Sequence, residues 1–448
     1  MSKFKGEEAV QKVLDIAKSK GIKEVEAFYV RYEDLEVEAT QSKIETLKIS
    51  EEEGLGVRLI DDQRLGFSYT TDFEVRGLEE AIENAFNAAL LTKEDEYLLL
   101  PVPSATYPQP NTVDPTLKEI PLSTKIEMAL KMEREAKAFD KRIKLVESSS
   151  YTDTFYEVAL ASSKGMNLKR QGSYCGLSIA VVAADEEESQ TGFDIFYSTH
   201  YEDLNPIKVG IKGASNALKL LGGKRVNTKK TAIILSPYVA SEFLSLLGAS
   251  FLAENVQKKK SILAGREGEK VFSSGIDIID NAILDKGVAS ASFDGEGVPA
   301  RRNILVEDGR ITGFLHNTYT ANKAGISSTG NARRDSYKAT PEVGITNFYL
   351  APGDRKEEEL LQDTEEGFYI MEVMGMHTAN PISGDFSVGA SGLWLKKGEV
   401  VYPVHGVAIA GNIFEIFAMI EGIGDNLTFY GSIGSPTLKI KEMMVSGE

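Results

Sequence analysis

Cysteine, histidine and positive charge are all scarce in this 448-residue chain, and each scarcity removes a class of function. The single cysteine, Cys175, excludes an internal disulfide framework and is compatible with a reducing compartment. Beside an apolar, strand-like run it reads as packing rather than as a nucleophile. The four histidines, His200, His316, His377 and His405, stand far apart, with no His-Glu-x-x-His and no cysteine pair, so no zinc site is expected in this chain. There is no run of 18 apolar residues, hence no expected membrane-spanning helix. Net charge is −17, and the only run of three cations is Lys258-Lys259-Lys260, with Lys229-Lys230 a weaker second. Phosphate backbones require clustered cations, so direct nucleic-acid binding is not expected. A Gly-x-Ser-x-Gly elbow is absent. Gly54-Leu55-Gly56 and Gly222-Gly223-Lys224-Arg225 lack the spacing of phosphate loops and read as turns. A soluble, cytoplasmic protein is expected.

The chain is too long for one ordinary core, so two or three domains are expected. Residues 1–225 read as an α+β region. An amphipathic helix opens it and ends at Gly21. Alternating runs at 25–32 and 35–50 predict strands, and 54–60 with 65–70 flank a hairpin turn at Asp61 to Arg64. Helices are predicted over 74–91 with Asp72 as a cap, from Ser123 to Phe139, and over 204–221. Strands are predicted over 143–149, 155–162 and 177–184. Residues 101–121 hold six of the 14 prolines and read as an extended connector. Residues 226–448 read as a β-rich domain, a barrel or stacked sheets: a strand at 231–235, a helix begun by Ser236-Pro237 and running to about Asn255, then short β runs between turns such as Asp308-Gly309 and Lys397-Gly398.

Two loop segments are dense in small and polar residues. One runs from His316 to Asn322 and on through Ser328-Thr329-Gly330-Asn331-Ala332-Arg333-Arg334. The other runs from Met374 through His377 and Asn380-Pro381-Ile382-Ser383-Gly384-Asp385 to Ser387. Such loops either approach a ligand closely or are simply tight turns of a β domain.

These same segments carry a resemblance. With GLGVR at 54–58, SILAG at 261–265, FDGEGVP at 293–299, NILVEDGRITGFLH at 303–316 and VHGV at 404–407, they resemble the TldD/PmbA family almost end to end. That family is called "modulator of DNA gyrase" and is regarded as a peptidase family. In its TldD branch a helix bears His-Glu-x-x-x-His, and a later cysteine is thought to complete a zinc site. Here the corresponding helix, reading SEFLSLLGASFLAEN from Ser241, has no histidine, and Gly431-Ser432 stands near the place of the cysteine. The resemblance is therefore to the PmbA branch, also called TldE.

It implies a subunit of a metallopeptidase complex that contributes peptide binding and assembly, with no metal or other cofactor of its own and zinc in a TldD-like partner. A homodimer is a further form to consider. His316, Asn331, Arg333, Arg334, His377, Asn380, Ser383 and Asp385 are the expected substrate-binding residues. Two other readings remain open: a regulatory protein acting on DNA gyrase, and an independent hydrolase using His316, His377 or His405 as base.

Overall fold

The computed structural model describes residues 5–447. It is an α+β protein: an antiparallel sheet with helices in the N-terminal half, and a C-terminal half built on a closed barrel.

The first sheet has the order β3-β2-β1-β4-β5-β6, with β1 Glu24–Thr40, β2 Lys43–Asp61, β3 Arg64–Thr70, β4 Ile143–Ser162, β5 Asn167–Ala184 and β6 Ser189–Ser198, all antiparallel. Side chains alternate between faces along a strand, and both faces here are covered. On β1, Val25, Ala27 and Tyr29 pack under α1 (Lys5–Ser19) and α2 (Val75–Ala89). Further along the same face, Leu35, Val37 and Ala39 pack under α3 (Leu122–Phe139) and α4 (Pro206–Leu220). The intervening residues Phe28 and Val30 point the other way. With their β4 partners Leu160 and Val158 they meet Phe293 and Tyr337 of the C-terminal half.

The structure is longer-stranded than the sequence pattern suggests. The runs at 25–32 and 35–40 are one strand, β1, and the turn falls at Gln41-Ser42, both left-handed (φ 53° and 61°). No glycine marks that turn, whereas Glu33-Asp34 imitates a break. The two predicted strands between 143 and 162 are likewise one, because the polar stretch Ser148 to Asp153 is paired inside the sheet. Ser123 is not a cap: α3 begins at Leu122, directly after Pro121. Asp72 accepts a hydrogen bond from the Glu74 amide (3.0 Å), ahead of α2 rather than at its cap. Residues 101–121 form no strand or α-helix, and they dock on β5 through Asp114 N to Ser173 Oγ (2.8 Å).

In the C-terminal half, strands Lys229–Leu235, Glu366–Met374, Asp385–Lys396, Glu399–Asn412 and Leu438–Ser446 form a ring, closed where Ala408–Ala410 pair with Met444–Ser446. A second sheet contains Ile278–Asn281, Arg302–Glu307 and Phe348–Leu350. Helix α5 (Pro237–Gly248), capped by Ser236, packs Phe243, Leu244 and Leu247 into the core between them. It is shorter than predicted: Gly248 leads into a 3-10 turn (Ala249–Phe251) and a separate short helix, Ala253–Gln257.

Candidate functional site

The alternation that sends Phe28 and Val30 toward the C-terminal half also builds a cavity there, of about 580 Å³. Its floor follows from the register. Tyr32 stands directly opposite Tyr156, Val158 opposite Arg170, Thr154 opposite Tyr174, and Gly176 opposite Tyr197, so four tyrosines and an arginine share one face of β1, β4, β5 and β6. The facing wall is loop backbone and side chain from 288–295, 330–335, 344–346 and Gly431-Ser432.

Arg170 lies among the rings, its guanidinium 5.6 Å from the Tyr156 centroid and 5.5 Å from that of Phe293. Its Nε is buried and has no hydrogen-bond partner. Among the described residues Arg170 forms no ion pair. A buried donor left unpaired is costly, and a guanidinium is suited to a carboxylate. On the facing wall, Ala332–Arg333 pair with Glu342–Val343 as a two-residue ribbon at the cavity edge.

Beneath the cavity the two halves of the chain are joined by buried charges. Arg58 makes a bidentate contact with Glu26 (3.1 and 2.8 Å) and reaches Glu296 (2.8 Å). Arg334 bonds Glu26, the Gly295 carbonyl (2.7 Å) and the Ala339 carbonyl (3.2 Å), and stacks on Phe28 at 4.7 Å. Glu296 also accepts from the Thr318 amide (2.8 Å). Burial pushes the pKa of Arg334 down, while for Arg58 the two carboxylates outweigh burial and raise it. Both guanidinium groups remain charged at any ordinary pH. Asp294, buried at the cavity wall, accepts amide hydrogen bonds from Glu296, Val298 and Ala332 (2.9, 2.9 and 3.0 Å). Desolvation, with the Glu296 charge second, pushes its pKa up.

The eight residues expected from sequence divide into two groups. Asn331, Arg333 and Arg334 line the cavity. Asn331 is a buried hub: its Nδ2 donates to Asp280 (2.7 Å) and the Gly344 carbonyl (3.1 Å), and its Oδ1 accepts from Asn303 (3.0 Å) and Thr329 (2.8 Å). Arg333 is exposed, with only a loose 3.8 Å contact to Asp335. His316 sits behind this loop, outside the cavity wall. Its amide and carbonyl bond Thr329, its Nδ1 is buried without a partner, and desolvation lowers its pKa.

The other four lie on a separate turn. His377 is exposed on the 3-10 turn Met376–Thr378. Asn380 Oδ1 accepts from the Ile382 and Ser383 amides (2.9 and 3.2 Å), Ser383 Oγ donates to Asp385 (2.7 Å), and Asn412 donates to Asp385 (2.9 Å). No hydrogen bond or ion pair joins the two groups among the described residues. His405 pairs with Glu188 (3.2 Å), and no histidine lines the cavity.

The aromatic floor is not evident from sequence. Its signal lies in the alternation at Phe28, Val30 and Tyr32 and at Tyr156 and Val158, but only the strand register shows that these residues share a face. A zinc ion of the expected kind does not fit these residues. Helix α5 offers no histidine, Gly431 and Ser432 offer no thiolate, and among the described residues no three His, Cys, Asp or Glu side chains cluster as a ligand set.

Comparison with known proteins agrees along the chain. The PmbA/TldA metallopeptidase domain 1 matches residues 25–89, the central domain 115–221 and the C-terminal domain 228–447. The metalloprotease PmbA of Escherichia coli O157:H7 is 27% identical, covering 99% of this chain and 96% of that one. A metalloprotease PmbA homolog of Buchnera aphidicola subsp. Baizongia pistaciae is 32% identical, covering 72% and 70%. The crystal structure of TldE from Thermococcus kodakarensis has the same fold, with a TM-score of 0.91 at 24% identity over 98% of this chain and 100% of that one. The chain belongs to the PmbA/TldD family of metallopeptidase-like proteins.

Proposed function

We propose that this chain is the PmbA-type, metal-free subunit of a two-component peptidase, and that it holds extended peptide in the cavity between its sheet and its C-terminal half. The observation that carries this reading is the pairing of a family fold with an α5 helix that has no histidine, beside a cavity lined by tyrosines and Arg170. The tyrosine floor supplies flat apolar faces with polar tips, suited to peptide side chains. Arg170, whose Nε has no partner among these rings, adds a donor for a peptide carboxylate. Hydrolysis then falls to a related partner bearing His-Glu-x-x-x-His, whose zinc supplies the activated water.

The test is reconstitution. The purified chain is assayed with a peptide library, alone and mixed with a family member carrying His-Glu-x-x-x-His, with and without chelator. The expected result is chelator-sensitive cleavage in the mixture that exceeds either component. Chelator-sensitive cleavage by this chain alone, with stoichiometric zinc, overturns the assignment.

A further inference from the structure

Strand β2 is paired on both sides only in its second half. β3 covers Leu55 to Asp61, and from Lys43 to Gly54 no third strand lies along the outer edge among the described residues. A free edge presents a row of backbone donors and acceptors ready to pair with another strand. This one also carries apolar side chains in the open: Ile49 is 72% exposed, Leu47 48% and Ile44 36%. Leu47 and Ile49 lie opposite Val37 and Leu35 of β1. The register then slips by one residue at Glu45, which brings Ile44 opposite Ala39. Opposed residues share a face, so the slip places all three apolar side chains on the α3 side of the sheet, where Leu35, Val37 and Ala39 are buried. They continue that apolar surface past the point where the chain's own helices cover it.

The charges on the edge suit a second copy of the same strand. Glu51, Glu52 and Glu53 are engaged within the chain, with Arg31, Lys338 and Lys5. Lys43, Glu45 and Lys48 have no ion-pair partner among the described residues. The strand begins on a free cation and ends on carboxylates that are already paired, and about an axis at Leu47 an antiparallel copy sets Lys43 opposite Ser50 of its neighbour, so no like charges are opposed. A two-fold axis along the sheet normal keeps each residue on its own face and therefore passes through a residue. Through Leu47 it sets Leu47 against its own copy and Thr46 against Lys48, with Glu45 flanking that pair. Allowing for the extra residue at Glu45, Ile44 then meets Ile49. Apolar meets apolar on the α3 side, and polar meets polar on the other. An axis through Lys48 instead opposes two lysines, and one through Thr46 leaves Leu47 against the displaced Glu45.

We propose that residues 43–50 pair antiparallel with the same residues of a second copy of this chain, about a two-fold axis at Leu47, joining two six-stranded sheets into one continuous sheet. The contact is isologous, as a two-fold dimer requires. On the α3 side Leu47 covers its own copy, and each Ile44 covers an Ile49. The cavity is not part of this contact, so the inference stands apart from the peptide-binding reading.

Sedimentation velocity of the full chain is expected to show a dimer, and Leu47→Lys, which sets two cations on the axis, is expected to give monomer. Thr46→Lys opposes two lysine pairs and is expected to weaken dimerisation about fivefold. Thr46→Glu makes two attractive pairs with Lys48 and is expected to tighten it by a similar factor. Leu47→Cys reads the axis directly. Under a mild added oxidant, which takes up the two electrons and two protons of the paired thiols, it is expected to form a disulfide-linked dimer. Ile49→Cys should not, because a residue two places from the axis lies too far from its own copy for a disulfide. Cys175 is buried and offers no competing thiol. The substituted side chains are exposed or half-buried at the edge, and circular dichroism checks that each variant keeps the fold. A wild-type monomer at every concentration overturns the proposal, as does association only with a different family member. A dimer indifferent to Leu47→Lys, or one that crosslinks through Ile49→Cys and not Leu47→Cys, overturns it too.

Discussion

Arg170 and Tyr156 stand on neighbouring strands with the guanidinium 5.6 Å from the ring centroid and an Nη1-to-hydroxyl distance of 3.5 Å, at the long limit of a hydrogen bond. The ring holds the cation by its π face while leaving most of its donors unused. Arg170 is thus positioned before any ligand arrives. An incoming carboxylate, from a peptide C-terminus or an acidic side chain, meets donors that need not reorganise. Arg170→Met is expected to weaken binding of a free-acid peptide about tenfold or more, since a hydrogen bond to a charged group contributes about 1.5–3 kcal/mol. Binding of the same peptide as its amide should change little. Isothermal titration with both peptides reads the difference, and equal losses for the two would show that Arg170 acts only through packing.

The join between the halves makes a second prediction. Glu26 is buried between Arg58 and Arg334, and Arg334 has four partners counting the Phe28 ring. Removing one member strands a charge away from water, which costs about 3–5 kcal/mol. Arg334→Ala is expected to lower unfolding free energy by that order, with a clear drop in melting temperature. Arg334→Lys should recover little, because a single ammonium cannot reach Glu26 and two carbonyls while stacking on Phe28. Urea denaturation of the two variants is the check; near-wild-type stability for Arg334→Ala would contradict the account.

How much of this is legible in the sequence depends on range. Local signals hold. The Asp61-to-Arg64 turn is a hairpin whose central residues Asp62 and Gln63 are left-handed, and Ser236-Pro237 begins a helix whose N-cap is Ser236. The loop from Ser328 to Arg334 stands out by its polarity, and it does contribute to one wall of the cavity. Arg334, however, is marked in the sequence only as an expected substrate-binding residue beside Arg333, not as a buried ion-pair partner. Its burial depends on Glu26, some 300 residues earlier, a partner that no local pattern points to. The tyrosine floor is hidden for the same reason: Tyr32, Tyr156, Tyr174 and Tyr197 become neighbours only through strand pairing. The turn at Gln41-Ser42 escapes a sequence reading because ordinary polar residues occupy the left-handed positions that usually favour glycine.

The segment Asn380 to Asp385 supports a third prediction, which separates shape from binding. Its polar side chains bond one another and Asn412, and it lies outside the cavity. Gly384 sits at φ +80°, and a β-carbon there would come within 2.7 Å of Ile413 and Phe414. Gly384→Ala meets both a strained backbone and a clash, and is expected to cost about 1–3 kcal/mol. Asn380→Ala removes one exposed acceptor of two amides and is expected to cost about 1 kcal/mol or less. Neither should alter the affinity of a peptide for the folded protein. Thermal melts beside titrations test this, and a binding loss in Asn380→Ala without a stability change would move the turn into the binding surface.

Asp280 gives a pH dependence whose sign can be worked out. It is buried and accepts from Asn331 Nδ2 (2.7 Å), Thr346 Oγ1 (2.8 Å) and the Thr346 amide (2.5 Å). Desolvation outweighs these bonds and raises its pKa to about 6. The folded protein therefore holds this proton over a range in which the unfolded chain has lost it. Where the folded state binds more protons, stability falls as pH rises. The contribution is fully present below about pH 4, declines as pH climbs through about 6, and is level above that, with a total swing of at most about 3 kcal/mol. Asp280→Asn cannot titrate, so the stability of the wild type relative to this variant is expected to fall between about pH 4 and 6 and then stay constant. Because the introduced amide also keeps one acceptor oxygen for Asn331 or Thr346, the slope of the difference, rather than its absolute value, is the informative quantity. Urea midpoints across that range measure it, and a difference that does not change with pH would place the Asp280 carboxyl in the ordinary range after all.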